Sequence, residues 1–518
     1  MPSRKRGHSK IVVVGSGVAG LTAAASLARA GHTVTVYEQF SEIGGVTATL
    51  NRDGFSWDLG PTLLEGFAPD ERGGRVLKDL GIADRIAFEE ASRSYRFPDF
   101  ELSRPTAYGG PHWRREYLKQ LFPAERDGID SYYRFYNRVM SYFALNLRAE
   151  LARGPAKAAT RLRLWMIRNR IKDRRNWSAQ KLMAHFFVDS RLKAVFTSPL
   201  TDLTVRPSQF PALGIPILNA ENSFDHRIPR RLSGIGRRPS YRFVLGGCSS
   251  LVNAIADCLR QHGGRIYTNA TVQRILITGD RATGVQLAGG HQEPADIVIA
   301  TGGARETFFE LVGRAYLPAD LAFQVDELRL MESVLMVHLG VDYDPTSYQP
   351  DALTHYYGTY DVEGSISACL SGDYHEGRND FVIYIPTAHS PDLAPSGHHA
   401  ITIYSVAPNE LHTGTWQERR RELADKLVAQ AEVVFPGLRS HIVTKVILTP
   451  EDFQSHTHQH HHALGGRAPV MGIDGPGYDT AIQGLWFIGS QSRSGGGVQN
   501  VMLGAHDASR MIQDRLKH

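Results

Sequence analysis

The stretch IVVVGSGVAGLTAAASLARAGHTVTVYE, Ile11 to Glu38, leaves the chain very few folds. Four β-favouring residues, Ile11 to Val14, run into Gly15-Ser16-Gly17-Val18-Ala19-Gly20. An Ala/Leu-rich helix continues to Ala30, Gly31 stops it, and a second strand from Thr33 to Tyr37 ends at Glu38. Each glycine has its own job. Gly15 permits the tight turn out of the strand, Gly17 lets the backbone approach a pyrophosphate, and Gly20 lets the helix pack closely on the sheet. The helix N-terminus offers unsatisfied N–H groups to phosphate oxygens. Glu38 stands where a carboxylate accepts the ribose hydroxyls of an adenosine and repels a 2′-phosphate. The basic MPSRKR start and the Ala-rich run loosely imitate a secretory leader. Strand, glycines, helix, strand and acid in register read instead as the first βαβ unit of a dinucleotide-binding domain.

At 518 residues the chain exceeds one ordinary core, so two or three domains are expected, with interior enough for a large cofactor. No segment approaches the roughly 18 consecutive apolar residues of a spanning helix, so any membrane contact is expected to be peripheral. Cys248, Cys258 and Cys369 form no paired framework, which fits a reducing cytoplasm. The net charge of +5 comes without a basic stripe interleaved with stacking aromatics, which argues against a nucleic-acid partner. The charge is uneven. Between Arg148 and Arg175, eight further Lys and Arg residues surround Leu162, Leu164, Trp165, Met166 and Ile167. Residues 148–175 are a candidate membrane-facing helix for an anionic surface; the alternative is a solvated helix packed on its own domain. Residues 1–9 read as a basic tail.

From about Asp70 to Arg238 the pattern is mostly helical. A second αβ stretch follows, with Gly246-Gly247, a helix to about Gln261, strands at Ile266-Tyr267, Val272 to Ile277 and Gly284 to Leu287, and a buried strand in ADIVIATGG. SVLMVHLGVDY, THYYGTY, DFVIYIPTA and HAITIYSV suggest an antiparallel sheet, and TWQERRRELADKLVAQAEVVF a helix. GLWFIGSQSRSGGGVQNVMLGAHDASRMI repeats the strand, glycine loop and helix logic near the end. The expected architecture is α/β with two domains: a Rossmann-type half from 10–70, 240–305 and 450–518, and a substrate half from 71–239 and 306–449 with an antiparallel sheet and helices.

These pieces, in this order, resemble the flavin-dependent amine oxidase-like superfamily, and within it the branch of phytoene desaturases, carotenoid isomerases and retinol saturases. The resemblance rests on the fingerprint with Glu38, Gly44-Gly45, RDGFSWDLGPTLL (Arg52 to Leu64), GGCSSLVNAI, DLAPSGHHAI, TPEDF and the C-terminal GLWFIGSQSRSGGGVQNVMLGA. It implies noncovalent FAD along the first segment, its ring reached by Gly60, Pro61 and Thr62 and by Gly489, Ser490, Gly496, Gly497 and Val498, with the backbone of Val272 at the adenine. Two positions depart from the pattern: Val46 follows the Gly-Gly pair where many relatives carry Arg, and Ser490 follows Gly489 where many carry Asp. The helix starting near Val498 would aim its positive end at the ring, and a side chain at Gly496 is expected to enter the ring's space.

The resemblance also implies chemistry on a carbon–carbon bond of a long apolar substrate, by desaturation, saturation or cis/trans isomerisation. An amine oxidase and a flavin-binding scaffold without turnover are the competing classes. The cofactor carries the redox step, so few ionisable groups are required. Two are candidates for proton transfer. His462 belongs to SHTHQHHHALGG, whose histidines are otherwise solvated or structural, or, if alternate on a strand, metal ligands; no metal partner is identifiable. Glu65 follows the GPTLL loop, and its bland reading is a surface or salt-bridged carboxylate. One dinucleotide fingerprint and no second one means that electrons are expected to leave to oxygen or a quinone.

Overall fold

The computed structural model describes residues 8–60, 62–232, 236–237 and 239–517. Its first layer is a parallel five-stranded sheet ordered Arg265–Tyr267, Thr33–Tyr37, Lys10–Val14, Ile297–Ala300, Leu485–Phe487. Three distant stretches of chain therefore meet in one sheet. Lys10–Val14 lies between Thr33–Tyr37 and Ile297–Ala300, in register from Ile11 with Val34 and Ile297. Its inner residues are fully buried, which is why the run reads as continuously apolar. The helix Val18–Arg29 buries ten residues, and it packs against Cys248–Gln261 and Val498–Lys517.

The second layer is a seven-stranded sheet ordered Ile442–Leu448, Ser333–Val341, His399–Ala407, Asp380–Tyr384, Leu353–Tyr357, Arg93–Arg96, Glu101–Leu102. All neighbours are antiparallel except Leu353–Tyr357 with Arg93–Arg96. One face carries Leu335, Val337, Ile383, Ile401 and Ile403 against the helix Trp416–Val434, which a capping box of Thr415 and Glu418 starts. The other face, with Met336, Tyr404, Val382 and Tyr384, turns toward the first layer. Arg93–Arg96 departs from the mostly helical reading of its region. Four residues are too few to reveal a period, and this strand is fixed by pairing with Leu353–Tyr357 rather than by its own sequence.

The basic region forms two helices, Arg126–Leu151 and Gly154–Ile171, packed on each other. No helix among the described residues is long and apolar enough to cross a membrane. The three cysteines are free and buried. Residues 1–7 of the basic tail lie outside the described residues.

Candidate active site

A cavity of about 940 Å³ runs from the first glycine turn to the face of the large sheet. At one end it is lined by Gly15, Gly17, Glu38, Gly44, Gly45 and Val272. Two glycine turns face each other here: Gly44 donates its N–H to the Ser16 carbonyl at 3.1 Å, and Gly44 and Gly45 hold φ of 110° and 57°, where a side chain is strained. A Cβ on Gly17 would meet no protein atom within 4 Å and would project into the cavity, so the turn cradles a ligand and not another segment. The Glu38 carboxylate is fixed by the Ser16 N–H at 2.8 Å, the Ser16 hydroxyl at 2.6 Å and the Phe40 N–H at 2.9 Å, and it still lines the cavity. Open glycine backbone, a helix N-terminus and an anchored carboxylate fit an adenine dinucleotide.

Gly60, Thr62, Gly489, Ser490, Gly497 and Val498 line the middle, where the N-terminus of Val498–Lys517 opens into the cavity. Pro61 lies outside the described residues. Two expected glycines are not on the lining, and both serve packing. A Cβ on Gly20 would collide with the Gly15 carbonyl, as its helix-packing role requires. Gly496 departs from expectation: a Cβ there would run into the Gly465 carbonyl, so this glycine admits the neighbouring loop and leaves the ring's space untouched.

At the far end stand Leu63, Leu64, Glu65, Met336, Tyr404, His462 and Leu464. Glu65 is neither a surface group nor salt-bridged. Its carboxylate has no hydrogen bond or ion pair among the described residues, and burial beside the Glu71 carboxylate, only partly offset by Arg93, pushes it up to about 7. His462 stacks on Phe453 at 4.7 Å and holds Ser333 Oγ at 2.8 Å through Nδ1. Burial, with His461 and His456 nearby, lowers it to about 3, so its ring is uncharged.

The remaining histidines take separate places. The helix Pro450–Thr457 contains His456, whose Nε2 lies 3.3 Å from the Gly45 carbonyl oxygen, and His458 caps that helix with a left-handed backbone. His460 pairs with Glu310 at 3.0 Å and His461 with the Met331 carbonyl at 2.9 Å. They do not alternate on a strand, and no group of metal-binding side chains occurs among the described residues. The lining residues Met336 and Tyr404 escape sequence reasoning. Tyr404 carries the one phenol in HAITIYSV, a weak signal that a buried strand faces a site.

A dinucleotide cradle joined by one cavity to an apolar far end fits an FAD-dependent oxidoreductase. The chain belongs to the flavin containing amine oxidoreductase family, whose sequence profile matches residues 18–512. It is 27% identical over 520 residues to a zeta-carotene-forming phytoene desaturase of Myxococcus xanthus, covering 98% of this chain and 93% of that one. It is 26% identical over 517 residues to prolycopene isomerase 2 of an Oncidium hybrid cultivar, covering 94% and 81%. A solved oxidoreductase from Methanosarcina mazei shares the fold, with a TM-score of 0.62, 20% identity and coverage of 96% and 99%.

Proposed function

We propose that this FAD-dependent oxidoreductase is a desaturase of an apolar isoprenoid substrate. The observation that carries this reading is Glu65, an unpaired carboxylate on the substrate end of the cofactor cavity. Making a double bond removes two hydrogens from adjacent carbons. One leaves with its electron pair, and bound FAD supplies that two-electron oxidation. The other leaves as a proton, for which a carboxyl oxygen of Glu65 is the acceptor. Net isomerisation of a double bond needs no such sink. It is the second reading, favoured by the prolycopene isomerase relatives. Gly15, Gly17, Glu38, Gly44, Gly45 and Val272 hold the adenosine and pyrophosphate, and Gly60, Thr62, Gly489, Ser490, Gly497 and Val498 hold the ring, with Gly20 and Gly496 shaping the two turns. The segments 10–70, 240–305 and 450–518 thus serve the cofactor, and 71–239 and 306–449 the substrate. Electrons then pass to oxygen or a quinone.

The test is anaerobic mixing of the oxidised holoenzyme with phytoene in detergent. Flavin bleaching, with a product two hydrogens lighter, is expected. A product of unchanged mass over a flavin that stays oxidised would move the reading to isomerisation.

An apolar substrate reaches the enzyme from a membrane, and the helix Gly154–Ile171 suits that contact. Its buried Thr160 and Ile171 and half-buried Leu164 and Ile167 form the packed face. Leu162, Trp165 and Met166 make a second apolar stripe that is 59%, 62% and 44% exposed. At about 100° per residue, Arg161 and Arg168 flank that stripe on one side and Arg163 and Arg170 on the other. Such a ridge embeds among acyl chains while the arginines meet anionic headgroups. Replacing Leu162, Trp165 and Met166 with Ser should abolish flotation with phosphatidylglycerol vesicles. Flotation that survives the replacement would assign the contact to another surface.

A further inference from the structure

The pyrophosphate of FAD is doubly anionic, and the cavity that fits it is poor in positive charge. Its described lining holds no lysine or arginine, while Glu38, Glu65, Glu306 and Glu310 all line it. The N-terminus of Val18–Arg29 meets part of that need. The bases on the lining are His456, His458 and His462. His462 stands with Met336 and Tyr404 at the other end, its Nδ1 on Ser333. His458 is exposed and caps its helix.

His456 is placed differently. It lies in the last turn of Pro450–Thr457, where the helix dipole favours a cation. Its ring is held between the Phe40 ring, edge-on with 4.3 Å between centroids, and the Gly45 carbonyl oxygen, 3.3 Å from Nε2. Gln39 ties the same turn down by donating to the His456 carbonyl at 3.2 Å. Gly45 in turn lies against the phosphate turn: a Cβ on it would stand 3.4 Å from the Gly17 Cα. A carbonyl only accepts, so Nε2 carries a proton, and Nδ1 makes no hydrogen bond among the described residues. That nitrogen is left for a ligand, as an acceptor on the neutral ring and as a donor on the cation. An anion close to an imidazole favours the cation.

We propose that His456, protonated at both ring nitrogens, supplies the positive charge that balances the dinucleotide pyrophosphate. This rests on the two glycine turns holding the pyrophosphate, and adds the side chain that meets its charge. It also gives the helix Pro450–Thr457, far along the chain from both turns, a part in holding the cofactor.

The test is an equilibrium titration of the full chain, freed of flavin, with FAD, read by flavin fluorescence in the wild type and two variants. His456→Gln keeps an N–H for the Gly45 carbonyl and removes the charge. It should bind FAD about tenfold more weakly or worse, the fold-change of a lost charge-assisted hydrogen bond. His456→Lys keeps the charge and should stay closer to the wild type than the Gln variant does, with circular dichroism confirming that both fold. Wild-type affinity in His456→Gln would overturn the proposal. So would equal losses in the two variants, because the ring would then act by its shape and not by its charge. Gly17→Val separates this from the reading beneath it: flavin retained there would take the pyrophosphate away from the glycine turns altogether. Flavin lost there, with no loss in His456→Gln, would strike only the histidine.

Discussion

The two ends of the cavity are built by opposite means. The dinucleotide end is backbone: Gly17, Gly44 and Gly45 make room by having no side chain, and Glu38 is held in place by neighbours close in sequence. The other end, where we propose that the substrate lies, is side chain: Glu65, Met336, Tyr404 and His462 come from four separate stretches and meet only because the large sheet and the His456–Leu464 region fold against each other. At the first kind of site a side chain takes up the room that the ligand needs. The second can be rebuilt residue by residue, so it is where specificity is set.

The sharpest way to break that contrast is at the glycines. Gly20→Val and Gly496→Val drive a side chain into the carbonyls of Gly15 and Gly465 and should abolish folded, flavin-loaded protein altogether. Gly17→Val meets only empty cavity and should fold without flavin, which circular dichroism and flavin absorbance together distinguish. Next in size is Glu65→Gln, which should keep its flavin while substrate-driven reduction slows by about 10²–10⁴-fold. Equal loss of flavin would move Glu65 out of the substrate end. Glu38→Ala removes the acceptor of three hydrogen bonds and should weaken FAD binding by roughly a hundredfold in an equilibrium titration of apoprotein. Smaller still, Met336→Leu keeps the apolar volume and should cost less than about 1.5 kcal/mol in substrate binding.

The same contrast governs how much of the molecule is legible in its sequence. Gly15, Gly17 and Glu38 are legible because a tight turn, a close approach and a carboxylate at a fixed spacing are demands made within 28 residues of one another, Ile11 to Glu38. The strand Ser333–Val341 is buried at every position, so nothing in its pattern marks Met336 as facing the cavity and Leu335 as facing a helix. That assignment depends on pairing with His399–Ala407. Gly496 reads in sequence as a cavity residue because it sits in a flexible triplet, while its partner, the Gly465 carbonyl, is supplied by a loop thirty-one residues away. The environment of Glu65 is equally hidden: Tyr241, opposite it across the strands, is 176 residues distant.

A further expected effect is on stability. The Glu65 carboxyl, raised from the ordinary 4.5 to about 7 in the folded protein, binds its proton more tightly there than in the unfolded chain. Its contribution is complete below about pH 4.5 and is lost as pH rises through 7, so the wild type should lose stability relative to Glu65→Gln over that interval in chemical denaturation. A difference that grows instead as pH falls would mean that Glu65 is held ionised.

The most direct test of the account is the rate of substrate-driven flavin reduction, measured anaerobically against pH in the wild type and in Glu65→Gln. If Glu65 takes the proton, the wild-type rate rises with pH through a transition near 7, while the variant is slow and flat across the same range. If both proteins give the same rate and the same profile, Glu65 is not the acceptor and the desaturase reading loses the residue that carries it.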